Sequence, residues 1–100
     1  MNGGWETCMA AGKAAYRQRR WDRAAQMFEA AIRKAEDFLP EDPRQAHAYT
    51  SLGWVYQAQE MYEEACPIFR KALDASARAL GPGHPELVRL LKADPEKKRV

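Results

Sequence analysis

Apolar and small residues recur along the chain every three or four positions, which is the spacing of one face of an α-helix. One such stripe consists of Tyr49, Leu52, Gly53 and Tyr56. A second stripe follows it closely and consists of Tyr62, Ala65, Cys66, Phe69, Ala72, Leu73, Ser76 and Leu80. Only residues 57–61 separate the two stripes, so the two helices are predicted to fold back as an antiparallel hairpin.

The same arrangement occurs earlier in the chain, at an offset of 41 residues (53 minus 12). At this offset, identical residues coincide on the apolar stripes: Gly53 with Gly12, Ala65 with Ala24, Phe69 with Phe28, Ala72 with Ala31 and Leu80 with Leu39. The polar positions between them differ freely. This is expected of stacked repeats, because each unit must present the same apolar face to its neighbour.

The second unit contains an aromatic residue, Leu-Gly, an aromatic residue, Ala, an aromatic residue and Ala, in the order Tyr49, Leu52, Gly53, Tyr56, Ala65, Phe69 and Ala72. This order resembles the tetratricopeptide repeat. The first unit fits less well, since Cys8 stands where the first large aromatic residue is expected. The resemblance covers nearly the whole chain and implies a protein-binding scaffold, without indicating a particular partner.

The offset of 41 residues is longer than the usual period of ~34 residues. The extra length lies at the end of the second helix and in the linker. The stretch 79–85, which reads Ala-Leu-Gly-Pro-Gly-His-Pro, resembles the long variant of the repeat seen in kinesin light chains. In this interpretation His84 and Pro85 have the same roles as Asp42 and Pro43, which suit a helix N-cap and a first helical residue.

The predicted architecture is all-α, with two antiparallel hairpins and a short C-terminal capping helix in a single domain of residues 1–100. Its parts are a first repeat at about 5–39, a second at about 43–80, a capping helix at about 85–93 and a charged tail at 94–100. We expect the second helix to continue to about Phe38. Pro67 is expected within the first turn of the fourth helix, where the missing amide hydrogen is tolerated.

Composition adds few constraints. The net charge of +2 produces no strong field that would favour nucleic acid or lipid. No apolar run approaches the ~18 residues of a membrane span, and residues 1–5 do not resemble a secretory signal. We therefore expect a cytoplasmic protein. Cys8 and Cys66 both lie on apolar stripes, so we interpret them as small buried residues without a disulfide.

No group of residues indicates catalysis. His47 and His84 lack acidic or Cys partners at helical spacing, so neither suggests a metal site. The stretch 81–83 (Gly-Pro-Gly) follows a helix rather than a strand, unlike a phosphate-binding loop. We therefore expect a non-enzymatic protein with no catalytic residue, no metal and no cofactor.

The family resemblance implies that the first helix of each hairpin lines a concave binding face. The partner-binding residues expected there are Lys13, Tyr16, Arg17, His47, Thr50, Trp54, Gln57 and Arg89, with Met9 and Lys92 on the same surface. Trp54 is expected to be at least half exposed as an anchor, or else to pack against the preceding helix near Lys13 and Tyr16. The carboxylate clamp of some relatives is incomplete here, since only Lys13 and Arg89 offer charge at its positions.

We expect the partner to be an extended peptide or a helix with acidic and apolar side chains. Two alternatives stay open. Two hairpins are fewer than the usual minimum of ~3 repeats, so the chain could assemble with itself, which exposed apolar residues near Trp5 would favour. Nucleic-acid binding is less favoured. It would use Arg17, Arg19, Arg20 and Arg23, but the matching turn of the second unit carries Glu60, Glu63 and Glu64.

Overall fold

The computed structural model describes residues 4–39 and 42–80, which form four α-helices. The helices are α1 (Gly4–Arg17), α2 (Trp21–Ala35), α3 (Pro43–Ala58) and α4 (Tyr62–Leu80). Helices α1 and α2 form the first hairpin and α3 and α4 the second, and α2 also packs against α3. The predicted all-α hairpins are thus confirmed. The predicted capping helix at 85–93 and the charged tail at 94–100 lie outside the described residues.

Both hairpins reverse direction through the same tight turn. Arg19 in the first turn and Glu60 in the second have φ values of 61° and 62°, in the left-handed region. In each turn the next backbone N–H donates to the carbonyl five residues earlier, at 2.9 Å in both hairpins. This pattern of a left-handed residue and a long-range backbone bond is the Schellman motif, which ends a helix abruptly.

A glycine lies under an aromatic ring in each hairpin. A Cβ atom added to Gly12 would lie 2.5 Å from Cε1 of Phe28, and one added to Gly53 would lie 2.7 Å from Cε1 of Phe69. Both distances are shorter than any ordinary carbon–carbon contact. Glycine is therefore required at these two positions because the second helix of each hairpin places its ring directly on the backbone of the first.

The buried core follows the predicted stripes closely. Ala24, Phe28, Ala31 and Ala35 of α2 are all at most 2% exposed, and the equivalent residues of α4, which are Ala65, Phe69, Ala72 and Ser76, are at most 3% exposed. Tyr62 was expected in this stripe but is 48% exposed, because it is the first residue of α4 and lies at the turn.

Sequence periodicity missed a second set of buried residues, which includes Met9, Ala48 and Val55. The prediction that Met9 lies on the open surface is wrong, since it is only 3% exposed. These three residues belong to one cluster that joins α1, α2 and α3. A side chain of α1 can therefore be buried even when it lies outside the stripe that packs on α2.

The connection between the hairpins ends α2 earlier than predicted. Helix α2 stops at Ala35 rather than near Phe38, and the chain then turns. The side-chain amide of Gln45 donates to the carbonyl oxygen of Phe38 at 3.2 Å, so the connection is attached to α3. Asp42 caps α3 as predicted, since its Oδ1 accepts the backbone N–H of Arg44 at 2.9 Å.

Pro67 lies one turn deeper in α4 than expected. Helix α4 begins at Tyr62, so Pro67 is its sixth residue and falls in the second turn. An ordinary residue there would donate its N–H to the carbonyl of Glu63, four residues earlier. Glu63 is exposed, so water can hydrogen-bond that carbonyl instead. None of the four described helices combines the length and the apolar character that crossing a bilayer requires.

Candidate functional site

A pocket of about 280 Å³ opens between α1 and α3. Helix α1 supplies three of its lining residues, α3 supplies two and α2 supplies one: Lys13, Tyr16, Arg17, Phe28, Ser51 and Trp54. We refer to it as the α1–α3 pocket. It exists because α2 packs against both of these helices and so separates them, which leaves a space above α2 that their side chains line.

Each wall of the α1–α3 pocket contains an aromatic side chain that is braced by a second ring. Trp54 is 39% exposed, and its ring centroid lies 5.3 Å from that of Phe69 with an interplanar angle of 75°. Tyr16 makes a similar edge contact with Trp21 at 5.2 Å and 78°. Such edge-to-face pairs are favourable and fix the orientation of the rings. The pocket thus has apolar walls that are largely preformed.

The α1–α3 pocket also carries positive charge. Lys13 and Arg17 lie one turn apart on α1, and both side chains are exposed. Neither forms an ion pair with any other residue in the part of the chain that the structure describes. Unneutralised cations beside an apolar wall attract an acidic group and repel a basic one.

Side chains with shifted pKa values lie away from this pocket. The side-chain hydrogen bond from Arg44, followed by the bond from its backbone N–H, lowers the pKa of Asp42 below its ordinary value. Burial, followed by the negative charge of Glu29, raises the pKa of Tyr56. Asp42 caps the start of α3, Tyr56 hydrogen-bonds Glu29 of α2, and neither residue lines the pocket.

Four of the eight predicted binding residues come together in the α1–α3 pocket: Lys13, Tyr16, Arg17 and Trp54. Trp54 is 39% exposed, which is less than the half that was expected, and its ring packs against Phe69 of α4. It nevertheless shares the pocket with Lys13 and Tyr16 of the preceding hairpin. Arg89 lies outside the described residues.

Three further predicted residues lie on α3 but not in the pocket. His47 is exposed near the start of the helix, and its ring centroid is 6.0 Å from that of Trp5. Thr50 donates its hydroxyl hydrogen to the carbonyl oxygen of Ala46 at 2.8 Å, within its own helix. Gln57 is partly buried, and its Oε1 accepts no hydrogen bond within the described ranges.

Phe28 and Ser51 line the pocket but were not predicted. Ser51 lies three residues before Trp54, so helical spacing could have placed both on one face of α3. Phe28 was assigned to the core, where it is only 2% exposed, yet its ring also forms the floor of the pocket. That second role could not be found from sequence periodicity, because it depends on how far α1 and α3 are separated.

The described residues offer no other obvious chemistry. Within residues 4–39 and 42–80, no three His, Cys, Asp or Glu side chains are grouped in a way that could hold a metal ion. Cys8 and Cys66 form no disulfide in this structure.

Two stacked helical hairpins with a pocket between their first helices define an α-helical repeat of the kind that presents a binding surface. Comparison with protein-family models identifies this repeat. One tetratricopeptide repeat model matches residues 7–65 and a second matches residues 45–86. The chain belongs to the tetratricopeptide repeat family, whose members generally act as protein–protein interaction scaffolds. No curated protein and no solved structure matches the chain. The long variant of the repeat stays a prediction.

Proposed function

We propose that this chain is a non-enzymatic interaction module that binds an extended peptide or a helix of a partner protein in the α1–α3 pocket. The observation that carries the proposal is the convergence of Trp54, Tyr16, Lys13 and Arg17 on one preformed cavity. Large aromatic residues and arginine are the side chains that most often dominate the energy of protein interfaces. The family match supports an interaction role of this general kind.

The composition of the pocket also indicates the partner. Trp54 and Tyr16 offer apolar ring surface, while Lys13 and Arg17 offer positive charge that the described residues do not neutralise. A matching peptide has an apolar side chain that enters the pocket and an acidic side chain within a turn of it. We place this interaction in the cytoplasm, and it requires neither a metal nor a cofactor.

Selection from a displayed library of random peptides tests the proposal directly. We expect the selected peptides to be enriched in acidic residues beside an aromatic or aliphatic residue. The double variant Lys13→Glu/Arg17→Glu should weaken their binding at least ~10-fold, because each contact between close opposite charges contributes on the order of 1 kcal/mol or more when partly desolvated. Isothermal titration calorimetry measures the change.

A matched control comes from the outer surface. Arg33 on α2 and Lys71 on α4 are both exposed and do not line the pocket. The double variant Arg33→Glu/Lys71→Glu makes the same change in net charge and should leave peptide affinity within about twofold, since exposed charges that are not at the interface contribute little. If both double variants weaken binding equally, or if the library yields basic peptides, the pocket is not the binding site.

The aromatic wall is tested separately. Trp54→Ala should reduce affinity strongly, whereas Trp54→Phe should retain much of it, because the ring supplies most of the buried apolar surface. Tyr62→Ala serves as the control, since Tyr62 is also exposed but lies outside the pocket. Equal affinity of the wild type and Trp54→Ala for the selected peptides would exclude Trp54 as an anchor.

The alternatives have less support. No large hydrophobic residue that is exposed in the described chain lies on α1, so the surface near Trp5 offers little for end-to-end assembly. The four arginines at positions 17–23 are all exposed, as nucleic-acid binding would require. A steep decrease of oligonucleotide affinity with salt would support that role, and no measurable affinity at low salt would exclude it.

A further inference from the structure

The two hairpin turns lie at the same edge of the molecule. Helices α1 and α3 start side by side, because the ring centroid of Trp5, near the start of α1, is 6.0 Å from that of His47, near the start of α3. Both helices also line one pocket further along their length. They therefore run in the same direction, and the turns that follow them are neighbours. We call this the turn edge, formed by residues 18–23 and 59–64.

The two halves of the turn edge carry opposite charge. The basic turn has Arg19, Arg20 and Arg23, and the acidic turn has Glu60, Glu63 and Glu64. At the repeat offset of 41 residues, Arg19 matches Glu60 and Arg23 matches Glu64. The charge thus reverses at these two equivalent positions, whereas Asp22, the only acid in the basic turn, matches Glu63 and keeps its sign.

These charges are available to a partner. All six side chains are exposed, and none forms an ion pair with another described residue. The left-handed conformation of Arg19 and Glu60 places both of these residues at the tips of their turns. Each turn therefore presents outward a charge that no other described residue pairs.

We propose that two copies of this chain pair through their turn edges, with the basic turn of each copy on the acidic turn of the other. A two-fold axis between the two turns and perpendicular to the edge produces this arrangement, and it satisfies both charge contacts at once. Rotation about an axis along the edge would place like charges together, which repel. The pairing is closed, so it ends at a dimer.

A second copy fits this edge better than a partner whose charge is all of one sign. A phosphate backbone would be attracted by the basic turn but repelled by the acidic turn, and a basic peptide would be attracted by the acidic turn but repelled by the basic turn. Tyr62, which is 48% exposed in the acidic turn, offers a ring on which an arginine of the second copy can stack. The pairing does not use the α1–α3 pocket, so it is independent of the proposed peptide binding.

Charge exchange at equivalent positions tests the proposal by sedimentation equilibrium of the purified chain. Arg19→Glu/Arg23→Glu gives two acidic turns, and Glu60→Arg/Glu64→Arg gives two turns of positive net charge. Each variant alone should dissociate on the order of tenfold more readily than the wild type, and an equimolar mixture of the two should recover a heterodimer. The wild-type dimer should weaken by a similar factor when salt is raised from about 0.02 M to about 0.5 M.

Arg33→Glu/Lys71→Glu is the control matched to Arg19→Glu/Arg23→Glu, because it makes the same change in net charge away from the turn edge, and it should dimerise as the wild type does. Circular dichroism verifies that every variant keeps its helix content. Four results would overturn the proposal: a wild-type monomer at low salt and high micromolar concentration, an open series of larger oligomers, a mixture that stays monomeric, or a control that dissociates as readily as the charge-exchange variants.

Discussion

The two hairpins of this chain share one backbone arrangement and differ in nearly everything that they expose. In each, a phenylalanine of the second helix lies against a glycine of the first, as Phe28 does on Gly12 and Phe69 on Gly53. In each, one residue with positive φ ends the first helix and a backbone bond of 2.9 Å closes the turn. The residues that the two hairpins share are those that contact the backbone of a neighbouring helix or close the turn between helices.

The differences between the hairpins lie where no neighbouring backbone constrains the side chain. Lys13 in α1 and Trp54 in α3 are equivalent at the 41-residue offset, and both line the α1–α3 pocket. One supplies charge and the other a ring. The basic turn and the acidic turn differ in the same way. The repeated backbone therefore provides equivalent surface positions in the two hairpins. Because the residues at these positions differ, the two walls of the pocket differ as well.

The largest predicted effect tests whether the glycine contacts are equally strict in the two hairpins. Gly53→Ala should destabilise the fold by about 1–3 kcal/mol, because the new methyl group would lie 2.7 Å from Cε1 of Phe69. Gly12→Ala faces a contact of 2.5 Å, but Phe28 borders the pocket and its ring can shift into that space. We expect the loss to be smaller at Gly12, although its starting contact is closer.

Urea denaturation followed by circular dichroism measures both losses. Ala14→Gly, which lies in the same helix as Gly12 but introduces no clash, is the control for helix propensity and should cost about 1 kcal/mol. A larger loss at Gly12 than at Gly53 would show that the pocket does not relieve the strain. No loss at either position would mean that the helices can separate without cost.

The next effect concerns the cap of α3, which has no counterpart at α2. Asp42 accepts the N–H of Arg44, whereas the side chain of Arg20, the N-cap of α2, makes no capping hydrogen bond. Asp42→Ala should cost about 1 kcal/mol at neutral pH, the typical value for a lost N-cap. Asp42→Asn should cost less, because asparagine keeps an acceptor at the same position.

The same carboxylate predicts a dependence of stability on acid. The pKa of folded Asp42 is lowered from its ordinary value near 3.8, chiefly by the side-chain hydrogen bond from Arg44. A carboxyl with a lowered folded pKa stabilises the fold fully above its unfolded pKa and loses that contribution as the pH falls through the folded pKa. As the pH falls below about 4, Asp42→Asn should therefore lose less stability than the wild type. Parallel acid titrations would contradict this.

The turns give a smaller effect of opposite sign. Arg19 and Glu60 adopt a left-handed conformation that disfavours residues with a Cβ atom. Arg19→Gly and Glu60→Gly should each stabilise the fold by about 0.5–1 kcal/mol. Gln18→Gly and Gln59→Gly alter the preceding residues, which do not have positive φ, and should stabilise nothing. Thermal denaturation compares the four, and equal gains at 18 and 19 would refute this account of the turns.

Sequence periodicity predicted the helices and their pairing well, because the residues that recur in the sequence are the same residues that form the contacts between the paired helices. At the offset of 41 residues Phe28 coincides with Phe69 and Gly12 with Gly53, and these are the residues that meet within the two hairpins. The end of α2 was missed by three residues, and just beyond that end Gln45 of the next helix bonds the carbonyl of Phe38. Such long-range bonds leave no signature in a local pattern.

The candidate site was predicted in part, for a related reason. Side chains on the open faces of α1 and α3 could be assigned from helical spacing together with the family resemblance, and Lys13, Tyr16 and Trp54 were found in this way. Met9 was misplaced and Phe28 was not recognised as part of the pocket. Both depend on the distance between α1 and α3, which is set by the packing of α2 between them. The spacing of residues within a single helix does not indicate the distance between two helices.

The smallest effect concerns a side-chain hydrogen bond that joins α2 of the first hairpin to α3 of the second. The hydroxyl of Tyr56 donates to Oε2 of Glu29 at 3.3 Å, which is long for a bond of this kind. The residue equivalent to Tyr56 in the first hairpin is Ala15, which has no such group. Tyr56→Phe should thus cost about 0.5 kcal/mol at neutral pH, and Glu29→Gln should remove most of the difference between Tyr and Phe at position 56.

Alkaline titration distinguishes this bond from general packing by Tyr56. Burial first, and then the charge of Glu29, raises the pKa of Tyr56 above its ordinary value of 10.0. The neutral phenol is therefore favoured in the folded state, so its contribution is complete below pH 10 and is lost as the pH rises through the folded pKa. Stability measured on both sides of that range should fall more in the wild type than in Tyr56→Phe. If the two decline together, ionisation of Tyr56 does not oppose folding, and the contact between the hairpins is one of packing alone.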